Sequence, residues 1–452
     1  MKIIIAGCGK MGTALTRVLI REGHDVTVID SVQQRVNEVM NTADVQGICG
    51  NAADCEVLEE AQAEKADLFI AMTASDELNM LACFFARNLG AQHTIARIRQ
   101  TEYNETGSDF IKQTLHLSMA LNPDQMAAQQ MFNILKLPSA MQIETFANRN
   151  IEMVQLKLKP NSPLLDMSLS DVRKRYKTPF LVCTVEREDD VYIPDGSFVL
   201  RSGDTVGLVA APTEIQKLLK KFDLLQKQAR SIMIMGGSRA AYYLAKKLSF
   251  IGNSVKIIDK DEKRCRNIAS LLPSISVVHG DGTHQELLYE EGIRNMDAFI
   301  ALTGTDEENI LLSVFASSIG VPTVITKVNS EELSRLAARL GLSCILSPTK
   351  AVTDVTSRFV RAIHNSAGSK IETLYRVAGE KAEALEFLVG EDFKGIGVPL
   401  KDLYLKKNTL IAGIVRDRRN IIPTGGDVIL PGDSVIVISA GHAYKDLSDI
   451  LK

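Results

Sequence analysis

The chain contains two similar copies of one sequence pattern, and this internal repeat constrains the fold more than any other feature. The stretch IIIAGCGKMGTALTRVL at residues 3–19 aligns with IMIMGGSRAAYYLAKKL at residues 232–248. Much further along, YIPDGSFVLRSGDTVGLV at residues 192–209 aligns in the same register with IIPTGGDVILPGDSVIVI at residues 421–438. A repeat of about 230 residues that carries two kinds of pattern predicts a duplicated protein with two domains in each copy.

Each copy begins with short apolar runs that alternate with helical patterns. In the first copy these runs are KIIIA, DVTVID, ADLFIAMT and HTIARI. Apolar strands separated by helices are typical of a parallel sheet that is covered by helices on both faces. We therefore expect a doubly wound, Rossmann-like α/β domain in each copy. The last part of each copy has strands, one short helix and turns such as RSGD and PGD, which predict a small α+β domain.

The repeat and the change of pattern within it give four expected domains. The Rossmann-like domains are expected at residues 1–137 and 229–364, and the small α+β domains at residues 138–225 and 365–452. A chain of 452 residues has room for this number, because one domain commonly takes about 100–200 residues.

Composition excludes several classes of protein. The chain has 52 Lys and Arg against 55 Asp and Glu, a formal charge of -3, so no surface for nucleic acid is expected. The seven cysteines are scattered without metal-ligand spacing, which indicates reduced thiols and no metal site. No apolar run approaches the roughly 18 residues of a membrane-spanning helix. We expect a cytoplasmic protein that reaches a membrane only through a partner.

The first copy carries a glycine-rich phosphate loop. Gly7, Gly9 and Gly12 form GxGxxG directly after the first strand and at the start of a helix. These glycines allow a tight turn, a close approach of backbone to pyrophosphate, and close packing of helix on strand. Asp30 ends the second strand, where a carboxylate accepts the hydroxyl groups of an adenosine ribose and repels a 2′-phosphate. The pattern predicts a nucleotide-binding site, and the alternative is a strand-to-helix turn that needs glycine only for packing.

The second copy keeps part of this pattern and changes the rest. Gly236 and Asp259 have the spacing of their first-copy counterparts, whereas Ser238 replaces the middle glycine. A Cβ at that position would hold a pyrophosphate further from the backbone. Asp281 lies in a turn-rich GDGT stretch after the third strand. The second site is therefore altered, and the pattern leaves open whether it binds a ligand or only maintains the fold.

Other polar residues flank the two loops. Lys10 and Arg239 occupy equivalent positions and either pair with a phosphate or remain solvated cations. Thr73 and Thr303 follow the fourth strand, at the ligand edge of such a sheet. Arg97 ends the fifth strand and either reaches the same edge or forms a salt bridge. The remaining candidate cofactor-binding residues, all in the first copy, are Met11, Arg35 and Ala52.

Neither small domain offers a repeated catalytic group. A dehydrogenase needs a second domain that holds substrate against the nicotinamide beside a general acid or base. We therefore assign no catalytic residue and expect a ligand sensor whose conformational equilibrium is shifted by nucleotide binding. An NAD-dependent oxidoreductase remains the alternative.

The order of these elements resembles the TrkA family of regulators of Trk potassium uptake. A GxGxxG domain with its ribose-binding Asp, the loops GNAAD and AMTASDELN, and a small domain with RSGD all occur and then recur. This resemblance covers essentially the whole chain. It implies tandem RCK (KTN) domains, each followed by an RCK C-terminal domain, with NAD(H) and/or ATP/ADP as ligands.

The resemblance also implies partners and roles. It implies a homo-oligomer, either a dimer or a tetramer, that lies at the inner face of the membrane and gates a Trk-type potassium translocator. It places Gly236, Asp259 and Thr303 in a second cofactor site, and it makes residues 123–137 and 351–363 crossover helices between subunits. Lys10 and Ser238 depart from the pattern of the family. Regulation of a different cation transporter is a further alternative.

Overall fold

The computed structural model groups the chain into two compact units. One unit combines Met1–Met131 with Ile232–Val360, and the other combines Phe132–Ser231 with Arg361–Lys452. The predicted domain boundaries at residues 137, 138 and 225 lie outside the described residues. The structure describes residues 1–105, 108–136, 142–146, 151–188, 190–222, 228–366, 371–377, 381–417, 419–442, 444 and 446–452.

The first copy begins with alternating strands and helices and ends with a mainly antiparallel part. The alternating part contains β1 (Lys2–Ala6), α1 (Lys10–Arg21), β2 (Asp25–Asp30), α2 (Gln33–Met40), β3 (Gln46–Cys49), α3 (Cys55–Glu60), β4 (Leu68–Ala71), α4 (Asp76–Leu89), β5 (His93–Arg97), α5 (Thr101–Glu105), α6 (Ser108–Thr114), β6 (Met119–Leu121) and α7 (Pro123–Lys136). The antiparallel part contains β7 (Gln142–Phe146), β8 (Ile151–Lys157), α8 (Leu169–Tyr176), β9 (Leu181–Arg187), β10 (Asp190–Tyr192), β11 (Thr205–Ala210) and α9 (Pro212–Lys221).

The second copy repeats this order with small differences. Its alternating part contains β12 (Ser231–Met235), α10 (Arg239–Phe250), β13 (Ser254–Asp259), α11 (Glu262–Leu271), β14 (Ser276–His279), α12 (Gln285–Glu290), β15 (Ala298–Ala301), α13 (Asp306–Ser318), β16 (Thr323–Lys327), α14 (Glu331–Arg339), β17 (Cys344–Leu346) and α15 (Pro348–Ser366). Its antiparallel part contains β18 (Ile371–Val377), β19 (Ala382–Leu388), β20 (Thr409–Arg416), β21 (Arg419–Ile421) and β22 (Ser434–Ala440).

The first unit contains two six-stranded sheets with the doubly wound strand order. The orders are β3-β2-β1-β4-β5-β6 and β14-β13-β12-β15-β16-β17, and the described strand pairs within them are parallel. In both sheets the chain order reverses beside the first strand of the copy, which is the point where folds of this class place a ligand crevice, at the carboxyl ends of the strands. The predicted fold class, with Rossmann-like domains each followed by a small α+β domain, is confirmed.

The apolar pattern of each copy explains these sheets. Ile3, Ile4 and Ile5 on β1 are all buried, because helices cover both faces of the sheet. Helix α1 buries Leu15 and Leu19, four residues apart on one face, against the same strands. Because the strands of each sheet are parallel, the turns that lead from strands to helices lie at one edge of the sheet, and the polar candidate residues occur there.

Helix α15 of the second copy completes the core of the first copy. Its residues Val352 and Val360 are fully buried in one cluster with Ile3 and Leu15. The ring of Phe359 also meets His93 edge-on, with ring centroids 6.1 Å apart. The resemblance implied that residues 351–363 cross between subunits. In the structure this helix crosses between the two copies of one chain.

The second unit contains two five-stranded antiparallel sheets, ordered β10-β9-β11-β8-β7 and β18-β19-β22-β20-β21. The expected single short helix is wrong for both copies. The first sheet is accompanied by the two helices α8 and α9, whereas the second is accompanied in the described residues by single 3-10 turns at Leu400–Asp402 and Leu447–Ile450. Leu400, Leu403 and Leu405 all pack against the core of this domain, and their spacings of three and two residues suit one 3-10 turn followed by extended chain rather than an α-helix.

The repeated Gly-Asp pair of the small domains has a structural role. Asp204 is almost fully buried and receives two hydrogen bonds of 2.8 Å from the guanidinium of Arg187. Asp433 receives the equivalent bonds, at 2.8 and 2.7 Å, from Arg416. Bidentate pairs of this kind fix the turn that precedes the last strand of each sheet.

No helix in the described part of the chain is both long enough and apolar enough to cross a membrane.

Candidate functional site

Each of the three glycines of the first loop has a different structural role. Gly7 has a φ of +105°, and a Cβ there would lie 2.9 Å from the backbone of Met72. A Cβ on Gly12 would lie 1.8 Å from the carbonyl oxygen of Gly7, so only glycine lets α1 approach the turn. A Cβ on Gly9 would meet no described atom within 4 Å. Gly9 therefore keeps the space in front of α1 open.

Asp30 lies at the end of β2 and faces this loop. Its side chain is buried, with Oδ2 accepting a 2.7 Å hydrogen bond from the Cys8 backbone N–H and Oδ1 accepting a 2.9 Å bond from that of Val32. Nη1 of Arg35 lies 3.9 Å from Oδ1, beyond hydrogen-bond distance. A carboxylate has about four acceptor positions, so Asp30 keeps two for a ligand.

Burial and the Asp30 carboxylate raise the pKa of the Cys8 thiol to about 12. The thiol is therefore protonated at neutral pH. A protonated, buried cysteine is not a nucleophile, so Cys8 is a packing residue of the loop.

A cavity of about 770 Å³ lies along this edge of the first sheet. Its volume is in the range of small-molecule sites. Nine of the candidate residues line it together: Gly7, Gly9, Lys10, Met11, Asp30, Arg35, Ala52, Thr73 and Arg97. Gly12 does not line the cavity, because its task is the contact between α1 and the turn.

Several lining residues were not among the sequence candidates. Asn51 and Arg99 are close in sequence to the candidates Ala52 and Arg97, so proximity alone could have indicated them. Asn329 and Thr349 come from the second copy. No local pattern indicates that these two residues reach the first loop.

Arg97 supplies positive charge to the cavity. Its guanidinium donates a hydrogen bond to the carbonyl oxygen of Thr73, while its Nε is buried without a partner in the described residues. Burial lowers the pKa of Arg97 to about 10, and the neighbouring Arg99 and Arg239 act in the same direction. The group is still protonated at neutral pH, so a buried cation with an unused donor lies beside the loop.

The repeated Thr-x-Ser/Thr-Asp-Glu-x-Asn motif lines the cavity through Thr73 and Ser75 and also holds this edge in position. Asn79 is fully buried and accepts hydrogen bonds from the N–H and hydroxyl of Thr73, at 2.8 and 2.7 Å. Asp76 accepts 2.7 Å bonds from the backbone N–H groups of Arg99 and Gln100. The motif therefore ties the ends of β4 and β5 together.

The second copy has the same turn with different side chains in it. Gly236 has a φ of +94°, and a Cβ there would lie 2.9 Å from the backbone nitrogen of Thr303. Ser238 is the N-cap of α10, and its hydroxyl accepts a 3.3 Å hydrogen bond from the N–H of Ala241. Asp281 accepts hydrogen bonds from the N–H and hydroxyl of Thr283, which lower its pKa.

Asp259 is more fully engaged than Asp30. Its Oδ2 accepts a 2.6 Å hydrogen bond from the N–H of Gly237 and a 2.9 Å bond from Nη1 of Arg264. Its Oδ1 accepts a 2.7 Å bond from the N–H of Asp261. The two repeated aspartates therefore differ in how much of the carboxylate is left for a ligand.

The cations of each loop lie near the fifth strand of the other copy. The charge of Arg239 lowers the pKa of Arg97, and the charge of Lys10 lowers the pKa of Lys327, which burial lowers most. Asn122, immediately before α7, also donates a buried 3.2 Å hydrogen bond to the hydroxyl of Tyr243 on α10. The ligand edges of the two copies are therefore close together within the first unit.

Comparison with protein families gives two matches in each copy. The model of the TrkA-N domain matches residues 3–113 and 232–348, and the model of the TrkA-C domain matches residues 153–223 and 384–452.

Three relatives match over almost their whole length. The Archaeoglobus fulgidus protein named Trk system potassium uptake protein TrkA homolog is 30% identical over 453 residues, which cover 100% of both chains. The TrkA of Halomonas elongata is 30% identical and covers 97% of this chain and 95% of its own. The TrkA of Vibrio alginolyticus is 30% identical over 100% of this chain and 98% of its own.

Solved structures share the fold at lower identity. A GsuK channel bound to NAD is 17% identical, with a TM-score of 0.65, over 97% of this chain and 77% of that one. The GsuK RCK domain is 17% identical, with a TM-score of 0.64, over 97% of this chain and 92% of that one. A GsuK bound to ADP is 15% identical, with a TM-score of 0.52, over 81% and 69% of the two chains.

The three relatives described above are named as potassium uptake proteins and not as enzymes, which agrees with the prediction of a non-catalytic protein. The family resemblance stated from the sequence is confirmed by the domain matches along both copies. The chain belongs to the TrkA family, with two TrkA-N domains and two TrkA-C domains.

Proposed function

We propose that the protein is the regulatory subunit of a Trk-type potassium uptake system. It binds NAD(H) or ATP/ADP in the cavity of the first copy and, at the cytosolic face of the membrane, gates a potassium translocator. The ligand class rests on the cavity. It is lined both by the open loop at Gly9 and by Asp30, whose carboxylate accepts two protein hydrogen bonds and has two acceptor positions left. The relatives named as potassium uptake proteins support the physiological role.

The residues of the cavity fit an adenine nucleotide in both polarity and charge. The two remaining acceptor positions of Asp30 would bind the ribose diol. The open space at Gly9 would admit phosphate to the N-terminus of α1, where backbone N–H groups and the helix dipole favour an anion. Arg97 would balance the phosphate charge. The similar GsuK structures, one bound to NAD and one to ADP, support the same ligand class.

The ligand would act as a signal rather than as a reactant. The cavity is lined by both copies, since Asn329 and Thr349 join the first-copy residues. A ligand that contacts both copies favours the arrangement in which they approach each other. Such differential binding shifts a conformational equilibrium, which an associated translocator can follow. The active form would be a homo-oligomer, a dimer or a tetramer.

The nucleotide step is tested by calorimetric titration of the full chain with NADH and, separately, with ATP. We expect Asp30→Ala to weaken binding by at least about tenfold, because it removes charge-assisted hydrogen bonds to the ribose. Asp25→Ala is the matched control, since Asp25 is exposed at the opposite end of the same strand. Equal affinities for the wild type and Asp30→Ala would contradict the assignment of the site.

The transport step is tested by ion flux into vesicles that contain a Trk-type translocator. Addition of the protein should make potassium flux depend on nucleotide, and Asp30→Ala should reduce that dependence. Flux that responds with another cation but not with potassium would identify the regulator of a different transporter. A substrate-dependent loss of NADH absorbance that Asp30→Ala removes would instead identify an NAD-dependent oxidoreductase.

A further inference from the structure

The loop of the second copy is filled by its own side chain where the loop of the first copy is open. Gly9 and Ser238 are the N-cap residues of α1 and α10. The hydroxyl of Ser238 accepts the N–H of Ala241 at 3.3 Å, whereas α1 has no side-chain cap in the described part of its loop. The serine hydroxyl therefore occupies the N–H of Ala241, which could otherwise donate to a phosphate. Its side chain also adds atoms in the space that a phosphate would enter.

In the second copy, the carboxylate at the ribose-binding position is also occupied by hydrogen bonds from the protein. Asp259 accepts three hydrogen bonds, from Gly237, Asp261 and Arg264, so about one of its four acceptor positions remains. A ribose diol needs two. Asp30 accepts two bonds from backbone groups and keeps two positions.

A single neighbouring residue accounts for the hydrogen bond that Arg264 donates to its aspartate, whereas Arg35 stays at 3.9 Å from Asp30. Asp261 caps α11, and Val32 occupies the equivalent position before α2. The carboxylate of Asp261 lies 3.7 Å from Nη2 of Arg264, so two acids hold that guanidinium. Among the described residues, the acid within 4 Å of the Arg35 guanidinium is Asp30, at 3.9 Å. The second copy therefore carries a charge pair that closes the ribose position.

We propose that Ser238 and Arg264 close the second loop to adenine nucleotides, so that each chain binds a single nucleotide, in the first copy. This inference rests on the proposed function for the first cavity. The second copy then acts in ligand binding through the residues that it places in the first cavity, Asn329 and Thr349. Ser238 and Arg264 are the residues that set this specificity.

The stoichiometry of NADH binding to the full chain is the first test. We expect one site per chain, lost in Asp30→Ala and retained in Asp259→Ala. Two sites, one of them removed by Asp259→Ala, would overturn the inference while leaving the proposed function intact. No binding to the wild type would instead contradict the proposed function.

The second test opens the closed loop in a chain whose first site has been removed. In the Asp30→Ala background, Ser238→Gly with Arg264→Ala should raise NADH affinity by at least about tenfold, because a backbone hydrogen-bond donor becomes free and Asp259 then has two acceptor positions available instead of one. Adding Asp259→Ala should remove the gain. If the opened chain binds NADH no better than its Asp30→Ala parent, the inference is wrong, whatever the first site does.

The reciprocal change uses the first loop of the otherwise native chain. Gly9→Ser places the second-copy residue in the open loop and should weaken NADH binding by about tenfold or more, because it provides the same cap and fills the same space. Gly9→Ser with unchanged affinity would show that a serine in this position does not exclude the ligand, and would overturn the role given to Ser238. Circular dichroism of each variant confirms that the fold is retained.

Discussion

The side-chain amide of Asn79 donates a 2.9 Å hydrogen bond to the backbone carbonyl of Arg97, and Asn309 makes the same bond at 3.0 Å to Lys327. In each copy one buried amide therefore holds the end of the fifth strand against the loop that follows the fourth. This bond fixes the position from which the Arg97 side chain reaches the cavity.

Removal of this amide should destabilise the first copy. Asn79→Ala leaves the N–H of Thr73 and the carbonyl of Arg97 buried without their partner, so we expect a loss of about 2–4 kcal/mol in the free energy of unfolding. Urea unfolding followed by circular dichroism measures the effect. Asn88→Ala is the control, because Asn88 is exposed on the same helix. Equal shifts in both variants would contradict a special role for Asn79.

The cavity should discriminate between NADH and NADPH. The buried Asp30 carboxylate faces the expected ribose position, where a 2′-phosphate would meet a like charge. We therefore expect NADPH to bind at least about tenfold more weakly than NADH. In Asp30→Asn, which removes the charge and keeps the size, that ratio should fall towards one. The exposed Asp44, changed to Asn, should leave it unaltered; competition titration measures both ratios.

We expect His93 to make the stability of the first copy sensitive to acid. Burial and the charge of Arg87 lower the pKa of His93, which packs edge-on against Phe359 of α15, while Asp67 acts weakly in the opposite direction. In the unfolded chain this histidine binds a proton near pH 6.5. The unfolded state therefore takes up more protons as the pH falls through that value, and the folded protein loses stability.

The measurement is the midpoint of urea unfolding at about pH 7.5 and about pH 5.5. The midpoint of the wild type should fall more between these values than that of His93→Gln. His284→Gln, which changes an exposed histidine, should behave as the wild type. The same drop in the wild type and in His93→Gln would assign the acid sensitivity to other groups.

A residue of the second copy should affect binding in the first. Thr349 lines the first cavity although it lies on α15, so Thr349→Trp should fill part of it and weaken NADH binding by about tenfold. Lys350→Trp adds the same bulk at the next, exposed position and should leave the affinity near that of the wild type. Unchanged affinity in Thr349→Trp would show that the ligand does not extend to the second copy.

The part of the site that the sequence predicted is the part built by local chain order. Asp30 ends one strand of a parallel sheet, and Gly7 and Thr73 follow two others, so topology alone brings them to a single edge. Thr349 follows a proline at the start of a helix whose amphipathic pattern shows that one face is buried. That pattern does not show which of two similar sheets the helix covers, and the answer here is the sheet of the other copy.

The sequence indicated only some of the contacts that close the second loop. A serine before a helix is a common N-cap, so the capping role of Ser238 had a signal. The ion pair of Arg264 with Asp259 had no such signal, because Arg35 occupies the same position in the first copy. The two arginines differ in the residue three positions earlier, which is Asp261 in the second copy and Val32 in the first. Contacts that depend on a neighbouring residue in three dimensions are not specified by a motif.

The placement of α15 in the core of the first copy also concerns how such a protein can diverge. Two identical chains that exchanged this helix would carry every substitution twice, so a serine in one loop would impose a serine in the other. Fusion into one chain, with Val352 and Val360 covering the first sheet, removes that restriction. One loop can then stay open while its counterpart changes.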